Sequence, residues 1–198
     1  KEVIMPNWAS TKYAFHSTKE DVQDLKKKID ELNAMNEPYV KNGFGKLWFG
    51  CLVNYLGGDY DKVCCRGEII SYKFHNDEAL SLCCETAWGE TPEFRHFLES
   101  KYPGSKIYYL VEESGCLVYG TNDKEGKYFP ERYMLDYYDG CDYFYNIDEA
   151  AEYIGQRLLD MEIEHNVEAI EKAIDDWLEE HEDEQDWMSF HKFDVEDD

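Results

Sequence analysis

The sequence predicts an α+β domain organised around an antiparallel sheet. Period-two apolar alternations bounded by turn residues interleave with apolar residues spaced three and four apart, the signatures of half-buried strands and amphipathic helices. Helix start and stop signals frame the second kind of segment. Aromatic residues make up 16% of the 198-residue chain, with 16 Tyr among them, and tyrosine suits a half-buried sheet because it joins an apolar ring to a polar tip.

Tyr13 and Phe15 alternate with Lys12, Ala14 and His16 as a strand would, and Ser17-Thr18-Lys19-Glu20 has the form of a capping box. Val22, Leu25, Ile29 and Leu32 then place one apolar stripe on a helix from about residue 18 to 35. Leu47, Trp48, Cys51, Leu52, Tyr55 and Leu56 share a helical face, and Gly57-Gly58 stops this shorter helix. Glu68 to Phe74 and Ala79 to Trp88 read as a hairpin turning at His75-Asn76-Asp77-Glu78. Pro92 follows Thr91 at a helix start, and Phe94, Phe97, Leu98 and Tyr102 form its buried stripe. Lys106 to Glu112 and Cys116 to Gly120 complete the series as strands joined at Ser114-Gly115.

With the short second helix treated as an insertion, the order is β-α-β-β-α-β, the ferredoxin-like arrangement in which helices cover one face of an antiparallel sheet. Tyr133 to Tyr137 and Cys141 to Tyr145 are expected to extend that sheet through the Asp139-Gly140 turn. Asp148 is expected to cap a helix bearing Ile154, Leu158 and Met161, and Asn166 another bearing Val167, Ile170, Ile174 and Trp177. Residues 1–147 thus form the domain with its sheet extension, and 148–198 an acidic helical segment packed on it, ending in a partly ordered tail. No repeat and no Gly/Ser-rich or Pro-rich linker marks a sharper boundary.

Charge is distributed unevenly. From Asp160 to Asp198 there are 17 Asp and Glu against Lys172 and Lys192 alone, so this end holds 15 of the 24 net negative charges. Such a surface repels anionic polymers and attracts cationic ones, which opposes direct nucleic-acid binding. The longest apolar stretch, Leu47 to Leu56, is broken by Gly50 and Asn54 and falls short of the roughly 20 residues of a membrane helix. The first residues lack a basic and apolar leader pattern, and seven cysteines form an odd set, so a cytoplasmic setting with reduced thiols is expected.

Several strings occur in a familiar order: Met5-Pro6-Asn7-Trp8, Cys65-Arg66-Gly67, Thr86-Ala87-Trp88-Gly89, Glu112-Glu113-Ser114-Gly115, and Asn122-Asp123-Lys124-Glu125-Gly126-Lys127-Tyr128-Phe129. Together they resemble the Api92-like and YubB-type proteins of plasmids, phages and conjugative elements, over about residues 5 to 135. The resemblance implies a ferredoxin-like domain and a mobile-element setting. It carries no activity and no catalytic residues to transfer.

Residues with chemical potential each have a plainer reading. Cys64-Cys65 and Cys83-Cys84 suggest four thiolates, but neighbours on a strand point to opposite faces, whereas zinc sites use C-x₂₋₄-C turns. They read as structural thiols, and no metal or cofactor is expected. Arg66, followed by Gly67, has the fork that clamps phosphate or carboxylate, although an internal Glu is its expected partner. Glu112, Glu113 and Asp123 offer carboxylates, yet a strand edge and turn chemistry account for them. Trp88 and Trp8, with Tyr109 and Tyr133, are the aromatic set to search for a pocket. The six histidines lack H-E-x-x-H spacing, and there is no G-x-S-x-G elbow or phosphate-binding glycine loop.

These observations favour a non-catalytic accessory protein that meets a protein partner, one with basic character, through Asp175, Asp176, Glu179 and Glu180. The alternatives are a DNA mimic that occupies a nucleic-acid-binding protein, and an enzyme whose site is built from Arg66, Trp88, Glu112 and Asp123.

Overall fold

The computed structural model describes residues 7–41, 43–181 and 187–197. The chain forms two compact units that divide between Asn122 and Asp123. The first contains β1 (Trp8–His16), α1 (Lys19–Ala34), α2 (Phe49–Tyr55), β2 (Gly67–Asn76), β3 (Ala79–Ala87), α3 (Pro92–Lys101), β4 (Lys106–Glu113) and β5 (Val118–Thr121). Its strands lie in the order β2-β3-β1-β4-β5, and every neighbouring pair is antiparallel.

Local chemistry explains these boundaries. Thr18 caps α1 by accepting the Asp21 N–H at 3.2 Å, while Ser17 donates to the Asp21 carboxylate at 2.6 Å. The stripe Val22, Leu25, Ile29 and Leu32 is buried, as its spacing requires. It meets Phe49, Leu52 and Val53 of α2, Phe94 and Leu98 of α3, and alternate strand residues Tyr13, Phe15, Leu80, Leu82, Ile107 and Tyr109. Phe49 and Phe94 stack with centroids 3.8 Å apart and planes inclined by 3°. Each such side chain contributes about 1.5–3 kcal/mol through burial, so this layer of helices on one sheet face holds the unit together.

The second unit contains β6 (Tyr133–Tyr137), β7 (Gly140–Phe144), α4 (Ile147–Tyr153), a π-helical continuation (Ile154–Leu159), α5 (Val167–Glu180) and β8 (Met188–Lys192). Its sheet has the order β7-β6-β8, with antiparallel pairs throughout. Leu135, Phe144 and Phe190 from the strands pack with Ala150, Ala151, Ile154, Ile170 and Ile174 from the helices.

Several expectations need correction here. β6 and β7 do not extend the first sheet, because the partner of β6 is β8, a strand supplied by the acidic ending. The soft division expected at residue 147 accordingly falls at Asn122/Asp123. The ending is partly sheet rather than tail, and Phe190 and Phe193 are buried; residues 182–186 lie outside the described residues. The cap of α4 is Asn146, which accepts the Glu149 N–H at 2.9 Å, and Asp148 instead meets His165 Nδ1 at 2.8 Å. Leu158 and Met161 stay exposed, because the π-helical turn and the left-handed Asp160 (φ 51°) end the helix before a regular apolar stripe can continue.

Candidate functional site

The first unit carries a pocket of about 620 Å³ at the start of the β2–β3 hairpin. Trp8, Phe44, Trp48 and Tyr60 supply aromatic surface, and Asp61, Arg66, Glu68 and Glu85 supply charge. Trp48 is fixed on several sides. Its indole N–H donates to the Cys65 carbonyl at 2.6 Å, its ring stacks on Phe44 at 5.3 Å, and the edge of Tyr60 meets it at 5.7 Å. Its ring lies over Gly50, where an added Cβ would come within 2.2 Å of ring carbons, so glycine is what admits the tryptophan. Gly67 serves the hairpin likewise, since a Cβ there would sit 2.7 Å from the Glu85 carbonyl oxygen.

The charged groups of the pocket are unusually arranged. Glu68 and Glu85 stand opposite each other across β2 and β3, a like-charge juxtaposition that costs stability. Neither they nor Asp61 forms an ion pair with any described residue. Arg66 is exposed and also makes no such pair, so the internal glutamate expected as its partner is not one. The Cys65 thiol at the pocket wall is pushed up to about 12 by burial, with Cys64 and Cys51 adding to the effect, and is therefore protonated and unreactive near neutrality.

Apart from Trp8 and Cys65, the residues singled out from sequence do not join Arg66 in this pocket. Trp88 lies in the left-handed region (φ 72°), donates its backbone N–H to the Asn7 carbonyl at 2.8 Å, and is absent from the pocket wall, whereas Trp8 is part of it. Glu112 on β4 meets Lys12 of β1 at 3.5 Å. Glu113, buried, accepts the N–H groups of Gly115 at 2.9 Å and Cys116 at 2.6 Å, which closes the Ser114-Gly115 turn. Tyr109 is in the first core, not in the pocket.

In the second unit Asp123 is fully buried and its carboxylate accepts three backbone N–H groups: Lys127 at 3.0 Å, Tyr128 at 2.6 Å and Phe129 at 2.9 Å. Tyr133 stacks on Phe190 at 5.6 Å. On α5 the apolar residues Ile170, Ala173 and Ile174 face inward, while Asp175, Asp176, Glu179 and Glu180 are all exposed. Lys172 pairs with Asp176.

The cysteine pairs are out of register: Cys84 stands opposite Ile69, and Cys83 opposite Ser71. Burial raises the Cys84 thiol well above its ordinary value. Among the described residues no group of three or more His, Cys, Asp or Glu is placed to hold a metal ion, and no helix is long and apolar enough to cross a membrane.

Sequence reasoning found Trp8 and Arg66 but missed Phe44, Trp48, Tyr60, Asp61, Glu68 and Glu85, which the hairpin register, the α2 entry and the α2–β2 connection bring together. It also missed a buried network beneath α3. Glu90 accepts from the Tyr13 hydroxyl at 2.9 Å and from Arg95 Nε at 3.4 Å, with both charged side chains only 7% exposed. Burial pushes the Tyr13 hydroxyl well above the usual tyrosine range, and the Glu90 charge pushes it further, so Tyr13 stays a donor.

No protein-family model, curated protein or solved structure matches the chain.

Proposed function

We propose that this protein is a non-catalytic, cytoplasmic accessory protein of a mobile genetic element, of the Api92-like or YubB type, that works by binding a basic protein partner. The observation that carries the reading is the outer face of α5. Asp175, Asp176, Glu179 and Glu180 are exposed together on a helix whose opposite side is anchored by Ile170 and Ile174. An anchored helix holds its charges in fixed relation, so they act as one field rather than as a fluctuating tail.

The strand order β2-β3-β1-β4, antiparallel throughout and connected by α1 and α3, supports the ferredoxin-like part of the reading. The binding role is supported by the tasks that the sequence's candidate catalytic carboxylates already perform. Asp123 organises a loop through three N–H groups, Glu113 closes a turn, and Glu112 bridges to Lys12.

The test is co-purification from the native host with wild-type protein and with a D175K/E179K/E180K variant, which leaves the Lys172–Asp176 pair in place. A basic protein is expected to co-elute with the wild type and to be depleted at least about tenfold with the variant, as steering by complementary charge requires. Equal recovery with both would remove α5 from the interface. Recovery of a nuclease or other nucleic-acid-binding protein that DNA displaces would favour the DNA-mimic alternative.

A further inference from the structure

We infer that the pocket of the first unit binds a small organic cation, with its charged nitrogen held between aromatic ring faces and the Glu68/Glu85 carboxylates. This goes beyond the acidic face of α5 and does not depend on it.

Composition and volume point to this ligand class. At about 620 Å³ the pocket falls within the roughly 300–1,000 Å³ of small-molecule sites and exceeds what one lysine or arginine side chain would fill. Four aromatic residues, Trp8, Phe44, Trp48 and Tyr60, line it. Aromatic faces carry negative potential and attract ammonium groups, tryptophan most strongly. Phe44 and Trp48 stack on each other with centroids 5.3 Å apart, so they form one continuous aromatic wall rather than a slot between two rings.

The carboxylates supply the second argument. Glu68 and Glu85 are directly opposed in the ladder with no cation from the described chain between them, and Asp61 is equally unpaired. A cation seated between the two glutamates would turn a destabilising contact into an attractive one. Among the described residues of the lining Arg66 is the one positive group, which leaves them with a net charge of two negatives. It opposes a bound cation rather than helping it, which gives the test its sign.

The experiment titrates the full chain with benzyltrimethylammonium, with its uncharged isostere neopentylbenzene and with phenylacetate, followed by calorimetry and tryptophan fluorescence. The cation is expected to saturate below about 1 mM and to bind about five- to thirtyfold more tightly than the isostere. E68Q/E85Q should weaken the cation at least about fivefold while leaving the fold intact by circular dichroism, because removing opposed like charges relieves repulsion. R66A should leave cation binding equal or tighter.

Equal affinity for the cation and its isostere would overturn the inference by making the pocket merely apolar. Preferential binding of phenylacetate, abolished in R66A, would overturn it by making the site an anion site. Failure of the cation to saturate at 1 mM would also overturn it. None of these results touches the α5 reading, whose readout is partner recovery.

Discussion

Asp123 shows how a residue with catalytic chemistry is committed to architecture. Its buried carboxylate accepts the N–H groups of Lys127, Tyr128 and Phe129, and its own backbone carbonyl accepts from Arg132 Nη2 at 2.7 Å. Asp123→Ala leaves three donors without their acceptor and should cost about 2–4 kcal/mol in chemical denaturation, with Asp123→Asn costing less because one acceptor oxygen remains. A loss below about 1 kcal/mol would mean that water replaces the carboxylate. The turn chemistry of Asn122-Asp123-x-x-Gly126 was legible in the sequence; the number of donors was not, since it depends on how the loop closes. His191 gives the second unit a pH dependence. Burial holds its imidazole below the ordinary value of 6.5, with Asp136 opposing the shift. The unfolded chain therefore takes up a proton more readily than the folded one, so stability is fully present above about 6.5 and is withdrawn as pH falls through that value toward the lower folded one. His191→Gln should flatten this part of the pH–stability profile, whereas an unchanged slope would assign the acid sensitivity to other groups.

α3 is held by more than its apolar stripe. Phe94 and Leu98 are buried, and behind them the Glu90–Arg95 pair joins the helix start to Tyr13 of β1, while Arg95 also lies over the Tyr109 ring at 5.3 Å. Removing one member of a buried pair strands the other charge, so Arg95→Met should cost about 3–5 kcal/mol. The double change Glu90→Gln/Arg95→Met should recover most of that loss, because no charge is then left buried and the Tyr13 hydroxyl keeps an acceptor. If the double variant is no more stable than the single, the pair carries more of the fold than desolvation arguments allow. The apolar spacing of 91–102 revealed this helix, but nothing local marked Glu90 and Arg95 as a buried pair, because the residues they also meet, Tyr13 and Tyr109, are supplied by β1 and β4. The same holds for β8. Alternation in Met188-Ser189-Phe190-His191-Lys192 was masked by surrounding acids, and a strand is recognised by its partner, here β6. α5, by contrast, declared itself through the Asn166 cap and a stripe at helical spacing.

Over the molecule, the parts set by local patterns were readable: α1, the β2–β3 hairpin, α3, β4 and the acidic outer face of α5. The parts set by long-range pairing were not, namely the second sheet and a pocket whose walls come from β1, the approach to α2, the α2–β2 connection and the β2–β3 hairpin. Net charge belongs to this larger scale as well. At −24, with 15 of those charges in the last 39 residues, the chain projects a field far stronger at one end of the sequence. Salt screens such a field over about 8–10 Å at physiological ionic strength, so its contribution to encounter is measurable as a salt dependence. The most direct measurement is the association rate with the captured partner, from low to high ionic strength, for wild type and for D175K/E179K/E180K. If the exposed acids of α5 steer the encounter, the wild-type rate falls steeply with salt and exceeds that of the variant at least about tenfold at low salt, the two converging at high salt. Superimposable rates across the whole range would contradict it.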